Sequence, residues 1–166
     1  MTSFAHFDQR AQRYVLGPPV IPAQENHPPR ETWNPTFELA YWAWGLQTAQ
    51  RWRRRVGLQP QAEWAQVLDH LSPLPARDGV YLAHENCPQT FIERNTDHPS
   101  MLGALGLLPG DCVDHETMRR TLNRVMQQWQ WDKTWGWDYP MVAMTAARLG
   151  EPKLAIDALL METGKN

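Results

Sequence analysis

The sequence has few cysteines, no long apolar run and no excess of basic residues. Its two cysteines, Cys87 and Cys112, are too few for the disulfide framework of a small secreted domain, which favours a reducing compartment. No stretch approaches the roughly eighteen apolar residues of a membrane span, and the start lacks a signal-peptide pattern. A net charge of -2 offers no basic surface to nucleic acid or to an anionic membrane. We therefore expect a cytoplasmic protein that binds neither.

Tryptophan and proline are abundant instead, with nine and fourteen residues. A chain of 166 residues is long enough for one domain with a real core. Residues 1–13 are polar and patternless, and we expect them to form an N-terminal tail. The domain is expected to cover residues 14–166, beginning with a proline-rich irregular segment.

The apolar periodicity predicts about six helices. The first follows Asn34 as N-cap and ends at Gly57, and Asp114 is predicted to cap a later one. A compact helix is expected within residues 99–110, and a closing helical hairpin turns at Gly150. These helices fit three antiparallel pairs with long loops on one face, so the expected fold is all-α.

The long loops hold the candidate catalytic groups. Glu25 lies in a proline-stiffened segment that can present a carboxylic acid for protonating a leaving group, although a surface glutamate has the same appearance. Asp138 precedes a helix and is either a catalytic carboxylate or an N-cap, and Asp132 is either catalytic or a turn residue. Trp135 and Trp137 beside these aspartates offer flat apolar faces to a sugar ring, although core packing also uses tryptophan.

Two further loop motifs contain metal-ligand residue types. They are "HEN" at residues 84–86 and "DH" at residues 97–98, and neither has the spacing of a known zinc or calcium site. We therefore expect no metal and no cofactor. His84, Glu85 and His98 are predicted to be hydrogen-bonding groups on the rim of the same site.

Four segments together resemble one group of enzymes. They are "PAQEN" at 22–26, "NPTFELAYWAWGL" at 34–46, "DHPSMLGALGLLPG" at 97–110 and "TWGWDYPMVAMTAARLGEPKLAIDALL" at 134–160. In this order they resemble the C-terminal part of the catalytic domain of six-hairpin glycosidases, which form (α/α)6 barrels. The similarity is greatest to relatives of glycoside hydrolase family 95 and extends more distantly to family 65.

The resemblance implies roles for several residues. Glu25 matches the family's acid glutamate, although Ala-Gln replaces the Ser-Pro of its motif, and Asn26 follows it in the substrate site. Thr134, Gly136 and Trp137 match a "TGW" motif near an aspartate that helps to activate water, which leaves Asp138 or Asp132 in that role. The family hydrolyses O-glycosidic bonds with inversion, which requires carboxyl groups roughly 6.5 to 9.5 Å apart.

The resemblance also implies an incomplete domain, because a closed barrel needs twelve helices. The expected fold is thus a partial (α/α)6 toroid that is inactive alone and self-associates through an open apolar flank. Its partner would be an oligosaccharide or glycoside. The alternative is a non-catalytic helical sugar-binding or scaffold module. Glu25 and Asp138 facing one concave pocket would favour the enzyme, and opposite surfaces would exclude it.

Overall fold

The computed structural model describes residues 3–165, which form six α-helices and four short β-strands. The helices are α1 (Thr36–Arg55), α2 (Ala62–Asp69), α3 (Gly103–Gly106), α4 (His115–Gln128), α5 (Asp138–Arg148) and α6 (Pro152–Leu159). Two 3₁₀ helices, at Ser100–Leu102 and Trp131–Lys133, precede α3 and α5. The strands form two antiparallel hairpins, β1 (Ala5–Asp8) with β2 (Arg13–Leu16) and β3 (Ala76–Arg77) with β4 (Val80–Tyr81).

The prediction of an all-α partial toroid is wrong, because these two hairpins make the fold a mixed one. β1 lies inside the segment expected to be a tail, and it pairs with β2 so that Ala5 is opposite Leu16. The Asp8 carboxylate accepts hydrogen bonds from the backbone N–H groups of Arg10 (2.8 Å) and Ala11 (3.1 Å), which stabilises the turn. Strands of two to four residues are too short to show a period-2 pattern in the sequence.

The start of α1 also differs from expectation. Pro35 is the N-cap, and no side chain caps the helix there. Asn34 is fully buried with φ of 47°, and its Oδ1 accepts a hydrogen bond from the Leu16 backbone N–H (2.9 Å). Its Nδ2 donates to Glu85 Oε2 (2.6 Å), so Asn34 joins two loops instead of capping a helix. Gly57, with φ of 78°, follows the end of α1 as predicted.

In the C-terminal half the helix ends agree more closely with the prediction. The Asp114 carboxylate accepts a hydrogen bond from the Thr117 backbone N–H (2.7 Å), which confirms it as the N-cap of α4. Gly150, with φ of 77°, lies at the turn before α6, and Pro152 begins that helix. The compact helix expected within residues 99–110 is divided into a 3₁₀ turn and the short α3.

Two apolar clusters hold these elements together. The larger one joins α3, α4, α5 and α6, and its fully buried members include Met101, Leu122 and Val142. The smaller one joins β2, α1 and α2 through Leu39 and Leu46. In the larger cluster α5 contacts both α3 and the 3₁₀ turn that precedes α3. None of the helices within residues 3–165 has the length and apolar character to cross a membrane.

Candidate functional site

Three loops that are distant in sequence line one cleft of about 640 Å³. They contribute residues 25–26, 96–98, 133–135 and 137, and Lys165 also lines the cleft. The volume lies within the range of roughly 300–1,000 Å³ that is usual for small-ligand sites. The cleft brings together part of the predicted site, namely Glu25, Asn26, His98, Trp135 and Trp137.

Glu25 is exposed in the cleft, and the residues on either side of it are held by hydrogen bonds. Gln24 is fully buried, and its Nε2 donates to the backbone oxygens of Arg94 (2.6 Å) and Thr96 (3.0 Å). Asn26 Nδ2 donates to Thr96 Oγ1 (3.0 Å). The Glu25 backbone is therefore fixed between two anchors on the neighbouring loop, while its carboxyl group is exposed in the cleft.

A carboxyl group of α1 supports the same loop. Glu38 Oε1 accepts a hydrogen bond from the Ala23 backbone N–H (2.6 Å). Burial raises the pKa of Glu38, and the bond from Ala23 opposes that rise only in part. The periodicity of α1 gave no reason to single out Glu38, because its partner lies in an irregular loop.

Asp138 reaches the cleft only through His98. Its side chain is fully buried, and its Oδ1 lies 2.9 Å from His98 Nδ1. Its Oδ2 accepts a hydrogen bond from the Trp135 backbone N–H (2.9 Å). Asp138 is the first residue of α5, whose N-cap is Trp137. Asp138 therefore does not line the cleft with Glu25, but it contacts His98, which does. The two carboxyl groups are thus not on opposite surfaces of the molecule.

His98 is surrounded by carboxyl groups. Burial acts to lower the pKa of His98, but the hydrogen bond to Asp138 and the charges of Asp138, Asp97 and Glu25 outweigh it. The pKa of His98 is therefore raised above 6.5. A histidine in this setting keeps its proton to higher pH and donates hydrogen bonds from both ring nitrogens.

Asp97 is a second carboxylate in the cleft. Its Oδ1 accepts a hydrogen bond from Trp135 Nε1 (2.7 Å) and lies 3.5 Å from His98 Nε2. Its φ is 61°, and backbone bonds hold this conformation, because its N–H donates to the Lys133 oxygen (3.0 Å) and its oxygen accepts from Trp129 Nε1 (2.8 Å). The sequence signal for Asp97 is its place beside His98, in a motif that indicates hydrogen-bonding groups and does not by itself assign Asp97 a catalytic role.

The two tryptophans of the cleft are exposed, by 56% for Trp135 and 48% for Trp137. The ring of His98 lies against Trp137, with centroids 4.1 Å apart, and 6.1 Å from Trp135. Neither tryptophan is therefore a core residue. Exposed rings beside fixed polar groups are typical of a binding surface.

The remaining predicted residues lie elsewhere. Asp132 is exposed in the 3₁₀ helix and is not among the residues that line the cleft. Glu85 accepts hydrogen bonds from Arg13 (2.6 Å) and from Asn34, so it ties β2 to the loop before α1. His84 lines a separate cleft of about 480 Å³.

His84 lies in that second cleft with His27 and Cys87. The two imidazole rings are 4.7 Å apart at an interplanar angle of 87°. Burial lowers the pKa of each histidine to about 4, assisted by the positive charge of Arg94. Both rings are therefore neutral at pH 7. Sequence spacing could not reveal this group, because His27 lies far from the other two along the chain.

Comparisons with known proteins add no assignment to this geometry. No protein-family model matches the chain, and no curated protein matches it significantly. A function for the chain must therefore be inferred from its residues and from where the fold places them.

Proposed function

We propose that the chain is glycosidase-like, binding a saccharide in the cleft with Glu25 as the general acid. The observation that carries this proposal is that Glu25 lines the same cleft as two exposed indole rings. The indole faces suit the apolar side of a pyranose, and a carboxyl group beside them can protonate the leaving oxygen of a glycosidic bond.

A second carboxylate is needed to activate water, and the arrangement favours Asp97 for it. Asp97 lines the cleft, whereas the fully buried Asp138 is bonded to His98 and Asp132 lies outside. In this proposal Asp138 is a positioning residue that fixes the ring of His98. His98, with its raised pKa, donates a hydrogen bond to a sugar oxygen.

A non-catalytic sugar-binding module remains the second candidate. It is favoured by the hydrogen bond from Trp135 Nε1 to Asp97 Oδ1, which occupies one oxygen of the carboxylate that would serve as base. Such a module would bind saccharides through Trp135 and Trp137 without cleaving them.

Saccharide binding is tested first, by saturation-transfer NMR with a panel of methyl pyranosides and short oligosaccharides. Trp137→Ala is expected to weaken binding at least about tenfold, which corresponds to about 1.4 kcal/mol. The matched control is Trp52→Ala, which removes an indole that is 57% exposed on α1 and outside the cleft. Equal binding by the Trp137 and Trp52 variants would contradict the proposal.

Turnover then separates the two candidates. With aryl glycosides of the sugars that bind, a catalytic site predicts slow hydrolysis that Glu25→Gln and Asp97→Asn abolish while binding persists. Binding without any turnover by the unaltered chain would instead support the non-catalytic module.

A further inference from the structure

Three buried side chains outside the saccharide cleft converge on one point. His27, His84 and Cys87 are 3%, 4% and 6% exposed. Each offers one ligand atom, either a ring nitrogen or Sγ, and these atoms all lie within 4.8 Å of one another. They come from two loops, since His27 ends the "PAQENH" segment and the other two lie in "HENC". The saccharide site uses none of them.

The types of these three residues indicate which metal ion they would bind. Neutral imidazole nitrogens and a thiolate are the preferred donors for zinc, whereas calcium and magnesium prefer oxygen. Zinc bond lengths of about 2.0–2.3 Å with tetrahedral angles place ligand atoms roughly 3.3–3.6 Å apart. Separations of up to 4.8 Å would therefore have to shorten by at most roughly 1.5 Å on binding, a change shared between the two side chains of each pair.

A second observation points to a missing partner. Nε2 of His27 is buried, and it has no hydrogen-bond partner among residues 3–165. A buried polar atom without a partner is unfavourable, and native folds contain few of them. A metal ion bonded to Nε2 would supply the missing partner.

We propose that His27, His84 and Cys87 bind one Zn²⁺ ion, with the fourth position open to the adjoining cleft of about 480 Å³. On binding, the Cys87 thiol loses its proton to solvent and the sulfur lone pair forms the bond to zinc. Three protein ligands with one exchangeable position are typical of zinc sites that hold water or a small ligand.

The charges around the cleft are compatible with this occupant. Glu31 and Glu93 line it and carry negative charge near the ion. Arg94 also lines it and opposes a cation, but its guanidinium donates to the Asn26 backbone oxygen (2.9 Å). Burial raises the pKa of the Cys87 thiol, and the positive charge of Arg94 opposes that rise only in part. Bound zinc would therefore lie beside the loop that carries Glu25, and it would stiffen that loop.

The test uses Co²⁺ as a probe, added to the full chain after chelator treatment. We expect one equivalent to bind and to give the thiolate-to-cobalt charge-transfer band and the intense visible bands of tetrahedral cobalt, with Zn²⁺ abolishing both. Cys87→Ser is expected to remove the charge-transfer band, and His27→Ala to weaken binding by more than about 100-fold, beyond the loss caused by an outer-shell change.

Cys112→Ser is the matched control, because Cys112 is a free thiol on the surface, and it should bind Co²⁺ like the unaltered chain. Circular dichroism of each variant verifies that it is folded. The proposal is overturned if the unaltered chain shows no charge-transfer band, or if Cys112→Ser loses the band and Cys87→Ser keeps it.

Discussion

At the scale of single residues, the position of His98 shows how burial and charge compete. Desolvation alone would make this ring neutral at pH 7, as it does for His27 and His84. The pKa of His98 is raised instead because its ring is hydrogen-bonded to Asp138, a carboxylate that is itself fully buried. The same residue type thus has opposite pKa shifts in two clefts, because the His98 ring is hydrogen-bonded to a carboxylate whereas His27 and His84 are affected by the positive charge of Arg94.

Asp138→Asn should lower the pKa of His98. The substitution keeps the shape of the side chain but removes the negative charge, so the largest contribution that opposes burial is lost while Asp97 and Glu25 remain. NMR titration of the His98 ring measures the pKa directly. Asp132→Asn, an exposed aspartate that is not in the cleft, is the matched control and should leave the pKa of His98 unchanged.

The same variant has a predictable effect on stability. Because folding raises the pKa of His98 above 6.5, its contribution is fully present below pH 6.5 and is lost as the pH rises through the folded value. The stability deficit of Asp138→Asn should therefore shrink as the pH increases above 6.5 in urea unfolding. A deficit that grew with pH would show that Asp138 does not stabilise the charged ring.

At the scale of elements, α3 and α5 approach unusually closely at Gly106. A Cβ atom there would lie 2.5 Å from Thr145 Oγ1 and 2.7 Å from the Met141 backbone oxygen. The hydroxyl of Thr145 donates within this contact to the Leu102 backbone oxygen (3.1 Å). This packing fixes the segment that leads from His98 into α3 against the helix that begins with Asp138.

Gly106→Ala should therefore destabilise the fold although alanine favours helix. Overpacking against a backbone oxygen costs about 1–3 kcal/mol, which exceeds the gain of at most about 1 kcal/mol in helix propensity. Gly164→Ala is the control, because a Cβ at that position meets no atom within 4 Å. Urea unfolding measures both variants, and equal stability of the two would exclude a tight α3–α5 contact.

The sequence predicted these elements unequally. α4 and α6 were predictable because Asp114, Gly150 and Pro152 mark where these helices begin through local backbone preferences. The hairpins were not predictable, since each strand is at most four residues long. The role of Asn34 was not predictable either, because its side chain accepts a hydrogen bond from the distant Leu16 backbone N–H. Local patterns carry no information about such long-range partners.

At the scale of the whole molecule, only some of the residues that line the cleft were predictable, and the hydrogen bonds that hold them in place were not. Glu25, His98 and Trp137 were candidates because their residue types are reactive or flat, and the fold brings them together. The anchoring by Gln24 and the grouping of His27 with Cys87 follow from three-dimensional proximity, which spacing along the chain does not encode.

Two buried glutamines allow the link between stability and the saccharide cleft to be tested. Gln24 holds the Glu25 loop through the backbone oxygens of Arg94 and Thr96. Gln50, which does not line the cleft, also makes two bonds to backbone groups, donating to the Gln61 oxygen (2.7 Å) and accepting from the Gln61 N–H (2.9 Å).

Gln24→Met and Gln50→Met should each lower the free energy of unfolding by about 1–3 kcal/mol, because backbone groups lose buried partners. Only Gln24→Met should also weaken saccharide binding, since only its loop carries Glu25. Urea unfolding and saturation-transfer NMR on both variants separate the two effects. If both variants lost binding equally, general destabilisation and not the anchoring of the Glu25 loop would control the cleft.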